Sequence, residues 1–189
     1  MDWLEIKEFL KDTAKYIIFI FAVIFIAVYI VGLQQVVGPS MSPTFENGNI
    51  LILDKVTYRF SDIKRGDVVS LYYADTKYLI KRIIGLPGES VDFRNGDLYI
   101  NNILVEEEYL NGVDTPDFSL SDLGYARIPS DMYFVVGDNR SDSLDSRSKE
   151  VGLIPKEDII GKAKTEGKER LTNLFKTFGY KVVEVSIKE

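Results

Sequence analysis

The chain has 189 residues, with 23 Lys and Arg against 29 Asp and Glu, so its formal net charge is −6. Phosphate binding needs a basic surface, so this balance excludes nucleic acid as the expected partner. Neither cysteine nor histidine occurs, which excludes disulfides, a Ser-His-Asp triad, a Cys-His pair and histidine-containing zinc sites. If the chain is a hydrolase, its base is Lys, Asp or Glu.

The first predicted element is a transmembrane helix over residues 16–33, an apolar run of 18 residues without a charge. As a helix it would be about 27 Å long, close to the roughly 30 Å of bilayer hydrocarbon. No Lys or Arg follows this run until Lys55, whereas three lysines precede it: Lys7, Lys11 and Lys15. The positive-inside rule then places residues 1–15, a short amphipathic segment, in the cytoplasm and residues 34–189 outside the plasma membrane. A cleaved signal peptide is the disfavoured alternative, because no small-x-small site follows the run.

Residues 34–189 are predicted to form one extracytoplasmic domain rich in β-strands. Asn-Gly pairs, which are typical of tight hairpin turns, occur at 47–48, 95–96 and 111–112. Two strand candidates flank the second pair, and others rich in Val, Ile, Leu and Tyr are 50–53, 67–73, 77–84 and 132–136. Short strands and short turns predict a mainly β fold, an antiparallel sheet or barrel-like domain. A short helix is expected over 168–178.

The segment Val36-Val-Gly-Pro-Ser-Met-Ser-Pro-Thr44 places a serine between two prolines. Pro39 and Pro43 restrict the backbone on both sides of Ser40, and a nucleophile requires a rigid turn that presents its hydroxyl. The alternative is an ordinary Ser-Pro turn. Ser40 lies seven residues after Leu33, so any chemistry there takes place within roughly 25 Å of the predicted helix end.

Lys81 lies in the apolar strand candidate Tyr78-Leu-Ile-Lys-Arg-Ile-Ile84. Alternation puts its side chain on the same face as Leu79 and Ile83. Desolvation by apolar neighbours lowers the pKa of a lysine, and a neutral amine is a usable base. The alternative is a strand lysine whose charged end reaches solvent.

A polar segment, Gly137-Asp-Asn-Arg-Ser-Asp-Ser-Leu-Asp-Ser-Arg147, follows the strand candidate 132–136. Its side chains suit local hydrogen bonds and ion pairs, or only a solvated turn. Calcium binding is disfavoured, because the Asp-x-Asp-x-Asp-Gly spacing is missing. No metal or other cofactor is expected.

Together these segments resemble the type I signal peptidases, which are serine proteases with a Ser/Lys dyad. Four blocks match in the family's order: Ser40-Met-Ser-Pro-Thr44, Arg65-Gly-Asp-Val-Val69, Lys81-Arg-Ile-Ile-Gly-Leu-Pro-Gly88, and Gly137-Asp-Asn-Arg140 with Ser143-Leu-Asp-Ser-Arg147. The resemblance covers roughly residues 16–162 and implies a β-rich catalytic core resting on the membrane. Some family members carry a serine two residues before the nucleophile that helps to hold the oxyanion. Gly38 stands there, which resembles the Gram-positive branch.

The resemblance implies that Ser40 attacks the scissile carbonyl and that Lys81 takes its proton. The oxyanion would be held by the backbone N–H of Ser40, and Ser143 would hydrogen-bond Lys81 and orient it. Two ion pairs would brace the site: Asp145 with Arg147, and Arg82 with Asp138.

The implied substrates are signal peptides of exported preproteins with small residues one and three positions before the cut, and the other partner is the lipid bilayer. Apolar residues near the dyad are the candidates for the substrate pockets: Val36, Met41, Leu79 and Ile80. The alternatives are a related Ser/Lys processing peptidase of the pilus or conjugation type, and an inactive membrane-tethered binding domain. A self-cleaving repressor is disfavoured, because a membrane span stands where a DNA-binding segment would be. No role is predicted for the residues after Gly161.

Overall fold

The computed structural model describes residues 2–73, 77–110, 114–165 and 167–177. Helix α1 spans Trp3–Phe25 and continues as a π-helical turn over Ile26–Ile30. Asp2 caps its start, accepting the N–H of Trp3 at 2.8 Å while the Glu5 carboxylate accepts the N–H of Asp2 at 3.1 Å. Such reciprocal bonds satisfy donors that the first helical turn leaves free. Of the helices in the described ranges, this is the one long and apolar enough to cross a membrane.

The predicted helix boundary at Leu33 is three residues too late. Strand β1 comprises Val31–Gln35 and pairs antiparallel with β2, Ile50–Asp54. Apolar residues suit both a lipid-facing helix and a strand, so composition alone does not locate the boundary. Tertiary contacts locate the boundary. The backbone N–H of Lys55 donates to the carbonyl of Ile30 at 3.0 Å, and the side-chain amine of Lys55 donates to another carbonyl of the last helical turns at 3.1 Å. The predicted segment before residue 16 is continuous with the helix.

The strands of the described chain form two antiparallel sheets, which confirms the mainly β prediction. The strands after β2 are β3 Val68–Tyr73, β4 Lys77–Gly85, β5 Val91–Arg94, β6 Asp97–Ile100, β7 Ile103–Val105, β8 Phe118–Ser119, β9 Met132–Val136, β10 Ile154–Pro155 and β11 Ile159–Lys164. The large sheet has the order β1-β2-β11-β3-β4-β9-β10, and the small sheet has the order β7-β6-β5-β8. Two further helices are α2, Thr57–Phe60, and α3, Lys168–Thr177.

The strand candidates correspond to β2, β3, β4 and β9, and the hairpin at 95–96 joins β5 to β6. Asn95 and Gly96 have φ of 53° and 89°, as the tight turn requires. Asn47-Gly48 instead lies in a longer loop between β1 and β2. Asn111-Gly112 and Phe178, the end of the predicted short helix, lie outside the described residues.

Buried apolar side chains fix the loop that carries Ser40. Met41 and Phe45 are fully buried and pack with Val68 and Ile80 of the large sheet. Burial of each such side chain contributes about 1.5–3 kcal/mol, so the loop is held on β3 and β4. A second cluster lies between the two sheets, with members from β4, β5, β6 and β9: Ile84, Val91, Phe93, Leu98, Phe134 and Val136, among others.

Candidate active site

Ser40 lies at a turn of the loop between β1 and β2 that is fixed on both sides. On the side of β1, the N–H of Val36 donates to the carbonyl of Asn49 at 2.8 Å. On the other side, the next residue, Met41, is fully buried. The backbone of Ser40 is therefore held in place while its side chain borders a cavity.

Gly38 adopts a φ of +87°, in the left-handed region that favours glycine. Its N–H donates to the side-chain oxygen of Asn47 at 3.0 Å. A serine hydroxyl is thus absent from this position, and an L side chain would be strained there in this backbone. The N–H of Ser40 donates no hydrogen bond to another residue of the described chain, so it is available to an oxyanion.

Lys81 lies on β4 opposite Val69 of β3, and its side chain reaches the predicted nucleophile. Its amine is 2.7 Å from the hydroxyl oxygen of Ser40, across 41 residues of sequence. The residue is only 2% exposed, which rejects the alternative of a lysine whose charge reaches solvent. An ammonium donates in this contact, and a neutral amine accepts the hydroxyl proton through the same contact.

Burial lowers the pKa of Lys81 from 10.5 to about 8. The carboxylates of Asp145 and Asp138 oppose this shift, and the guanidinium of Arg147 reinforces it. No described carboxylate bonds the amine directly, since its hydrogen bond in the described chain is to Ser40. At pH 7 a pKa of about 8 leaves roughly a tenth of the amine as free base, whereas a pKa of 10.5 would leave less than about a thousandth.

The hydrogen bond expected between Ser143 and Lys81 is not formed. The Ser143 hydroxyl is buried and has no hydrogen-bond partner in the described part of the chain. It lies near the Asp145 carboxylate without the geometry of a hydrogen bond, and it packs directly against the α-carbon of Gly137. The amine of Lys81 is instead directed at Ser40, so Ser143 is a neighbour of the site that forms no bond to the base.

Both ion pairs implied by the resemblance are formed. Arg147 contacts Asp145 through two bonds of 2.9 and 2.8 Å, and Asp145 also accepts the N–H of Gly137 at 3.0 Å. Burial raises the pKa of the Asp145 carboxyl, but the bonds from Arg147 outweigh it and hold the pKa below its usual value. Asp145 therefore engages Arg147, and the Lys81 amine bonds Ser40 instead.

The second pair joins Arg82 of β4 to Asp138 through bonds of 2.8 and 2.5 Å. Arg82 also donates to the carbonyl of Gly66 at 2.8 Å and to the hydroxyl of Thr44 at 3.2 Å. Arg82 belongs to the third sequence block, and its guanidinium joins that block to the second, to the fourth and to the end of the first. Residues distant in sequence therefore form one site.

A third buried ion pair, between Arg140 and Glu107, was missed by the sequence analysis. Arg140 stands in the predicted polar segment, but Glu107 lies 33 residues earlier, in a stretch without a regular pattern. No local signal pairs these two residues, because their contact depends on how the two sheets pack.

All four predicted substrate-pocket residues line one cavity of about 300 Å³ that also contacts Ser40 and Lys81: Val36, Met41, Leu79 and Ile80. Strand β9 pairs with β4 only from Arg82 onward. The edge of β4 over residues 78–81 that faces away from β3 is therefore not paired with a described strand. In the described ranges, no group of three acidic side chains suited to a metal ion is present.

Comparison with known proteins gives the family that the four sequence blocks resemble. The family model described as signal peptidase, peptidase S26, matches residues 7–166. The chain belongs to this family. Signal peptidase I V of Bacillus subtilis (strain 168) is 43% identical over 136 residues, covering 67% of this chain and 80% of that protein.

Signal peptidase I S of the same organism is 36% identical over 164 residues, which cover 84% of this chain and 88% of that protein. A crystal structure of a signal peptidase I from Enterococcus faecalis V583 is 35% identical, covers 54% of this chain and 97% of its own, and has a TM-score of 0.49. As a family member, this chain is a serine protease of the signal peptidase type.

Proposed function

We propose that Ser40 is the nucleophile and Lys81 the general base of a peptidase that removes signal peptides from exported preproteins. The observation that carries the proposal is the 2.7 Å contact between the two side chains at a lysine whose burial brings its pKa to about 8. A base must lie within hydrogen-bond reach of the proton that it takes. The pair meets this requirement without a histidine.

In the first half-reaction, the Ser40 oxygen attacks the scissile carbonyl carbon while neutral Lys81 takes the hydroxyl proton. The tetrahedral oxyanion is stabilised by the free N–H of Ser40. The intermediate collapses, the C–N bond breaks, and Lys81 gives its proton to the leaving amine. Water then attacks the acyl ester with Lys81 again as base, which releases the signal peptide as a carboxylic acid and restores Ser40.

The supporting residues act through the base and the nucleophile. Asp145 with Arg147 and Asp138 with Arg82 fix the turns beside the dyad, while their mutual pairing keeps carboxylates off the Lys81 amine. Ser143 fills the space between these groups and stays a candidate for orienting Lys81 once substrate is bound.

Replacement of the dyad tests the mechanism. Ser40→Ala and Lys81→Arg are expected to abolish cleavage of a peptide with Ala at the −1 and −3 positions, since guanidinium does not deprotonate in this range. Ser42→Ala is the matched control, because Ser42 lies in the same loop but its hydroxyl bonds Glu46. Near-normal turnover by Lys81→Arg would remove Lys81 as the base, and an Asp or Glu would have to take that role.

Specificity for small side chains follows from the cavity beside the dyad. An extended substrate that pairs with the free edge of β4 would point alternate side chains into the protein, which gives the −1 and −3 spacing. The candidate lining residues Val36, Met41, Leu79 and Ile80 leave a cavity of about 300 Å³ shared by both positions. Equal turnover of peptides with Ala and Leu at −1 would contradict this assignment.

The helix Trp3–Ile30 supports a single-pass membrane anchor, and the lysines before residue 16 support a cytoplasmic amino terminus. Ser40 follows the helix by only ten residues, so enzyme and preprotein would meet at the same membrane surface, which raises their effective concentration. A protein that starts at Val31 keeps β1 and should lose far more activity on membrane-embedded preproteins than on soluble peptides. Equal losses would contradict the tether.

The orientation is tested separately by single cysteines, since the chain has none of its own. The cells keep an intact plasma membrane, but the cell wall, and the outer membrane if there is one, are removed. A cysteine placed in the strand hairpin β5–β6 should then react with a membrane-impermeant maleimide. A cysteine at position 8 should react only after permeabilisation. The reverse pattern would contradict the orientation.

A further inference from the structure

Arg140 is the largest fully buried side chain of the described protein, and its guanidinium is surrounded by acceptors. It donates to both carboxylate oxygens of Glu107 at 2.9 and 2.6 Å, to the hydroxyl of Thr115 at 3.0 Å and to the carbonyl of Gly137 at 3.1 Å. The ring of Phe93 lies 5.2 Å away. The side chains of Arg140 and Glu107 are 0% and 7% exposed, so solvent has little access to the pair.

Tyr109 links Glu107 to Arg82, the second arginine of the site. One of its oxygens accepts a short hydrogen bond from the hydroxyl of Tyr109. The ring of Tyr109 stacks 3.8 Å from the guanidinium of Arg82, which bonds Asp138. Glu107 therefore links two arginine–carboxylate systems, although it follows β7 of the small sheet and not the sheet that carries the dyad.

The backbone held by Arg140 is the turn next to the nucleophile. The Arg140 side chain bonds the carbonyl of Gly137, and its own carbonyl accepts a bond from Arg147 at 2.8 Å. Between these points, the N–H of Asn139 donates to the carbonyl of Ser40 at 3.1 Å. A Cβ at Gly137 would overlap that carbonyl, so the turn and the nucleophile loop are in close contact with no room for a side chain between them.

From this chain of contacts we propose that Glu107, acting through Arg140, is a positioning residue for the peptidase reaction. This role rests on the proposed roles of Ser40 and Lys81 and adds a specific dependence on a residue that follows β7 of the small sheet. Glu107 touches neither the reacting atoms nor the dyad. Its carboxylate fixes the guanidinium, the guanidinium fixes the turn, and the turn fixes the carbonyl side of Ser40.

A purely structural role for the pair is the rival explanation. Buried ion pairs are weak evidence for stability, because an apolar pair of similar volume is often as stable or more so. They are also known to specify one arrangement of the groups around them, which is the property that a catalytic turn needs. The two explanations differ in what happens when the charges are removed together.

The experiment compares steady-state kinetics of full-length variants in detergent, with a peptide substrate, below their unfolding temperatures. Glu107→Gln keeps the volume and one acceptor but leaves Arg140 without a counter-charge. We expect kcat to fall about 10- to 100-fold, the effect of small misplacement of reacting groups, with KM changed less than about twofold. The matched control is Glu89→Gln, since Glu89 pairs with Arg65 at 2.5 Å without touching the turn. It should leave kcat unchanged.

A double variant, Glu107→Gln with Arg140→Met, removes the buried charge altogether. It should regain stability but keep the low kcat, because the bond to the Gly137 carbonyl is gone. Recovery of kcat together with stability would overturn the inference in favour of a structural role. Equal losses in Glu107→Gln and Glu89→Gln would overturn it as well.

Should Glu107→Gln not fold, Thr115→Val removes one bond from Arg140 without a change of charge. A fall in kcat of about fivefold is then expected, the equivalent of one hydrogen bond, and an unchanged kcat would overturn the inference. Failure of the proposed dyad looks different. If the proposed dyad is wrong, Ser40→Ala stays active. If the dyad is right but Glu107 has no positioning role, Ser40→Ala is inactive and folded Glu107→Gln cleaves at the wild-type rate.

Discussion

Burial of Lys81 lowers the stability of the folded protein, and replacement by methionine should reveal by how much. The pKa is 10.5 in the unfolded reference and about 8 in the folded protein. Because the folded value is the lower one, the unfolded chain binds more protons between these values, and stability rises as the pH rises from about 8 to 10.5. The resulting cost of the charged amine is about 3 kcal/mol at pH 7 and about 1 kcal/mol at pH 10.

Lys81→Met keeps the length of the side chain, removes this cost and gives up the hydrogen bond to Ser40, a loss of about 1 kcal/mol. The variant should therefore be inactive and about 2 kcal/mol more stable than wild type at pH 7, with almost no gain at pH 10. Urea unfolding of both full-length proteins in detergent, followed by tyrosine near-ultraviolet circular dichroism at each pH, measures the difference. A variant less stable than wild type at pH 7, or a gain that does not shrink at pH 10, would refute the reasoning.

Three further predictions concern activity. Below pH 8, kcat/KM should fall about tenfold per pH unit as Lys81 is protonated and should level off above about pH 9, so a flat profile from pH 6 to 9 would contradict the assignment of the base. Asp145 is the carboxylate that does most to raise the pKa of Lys81. Asp145→Asn should therefore lower that pKa further and move the acid limb of the pH profile to lower pH. A shift to higher pH would show that another group is titrating. Gly137→Ala introduces a methyl group that overlaps the Ser143 hydroxyl and the Ser40 carbonyl; kcat should fall about 100-fold, and a wild-type kcat would show that this contact relaxes easily.

The site illustrates how far local sequence patterns extend. The two prolines that flank Ser40 predicted a rigid turn, and alternation predicted that Lys81 shares a face with Leu79. Neither pattern predicts the 2.7 Å contact between the two side chains, which are 41 residues apart in sequence. The contact forms because the loop after β1 packs on β4 in the folded protein. The Ser143 bond was expected from resemblance alone, and it is not formed: the Lys81 amine bonds Ser40, and the Ser143 hydroxyl has no hydrogen-bond partner in the described chain.

Contacts between the two sheets could not be predicted from local sequence patterns either. Glu107 lies in a stretch with no periodic pattern, so nothing near it in sequence indicates a buried partner. Its burial results from the packing of the small sheet against β4 and β9. Its buried charge is compensated by Arg140, which belongs to the segment after β9 and donates to both carboxylate oxygens. Long-range ion pairs of this kind cannot be inferred from one segment at a time.

The sequence by itself determined the class of the protein: an apolar run of membrane length, short β-strands, and a serine and a lysine in blocks whose order matches one peptidase family. The apolar run and the strands follow from composition and from the alternation of neighbouring residues, whereas the blocks point to the family only by resemblance. The tertiary structure alone decided where the helix ends, which carboxylates pair with which arginines, and that Lys81 is buried beside Ser40. Each depends on groups far apart in sequence, and the free energy of a charge is set by everything that surrounds it in space.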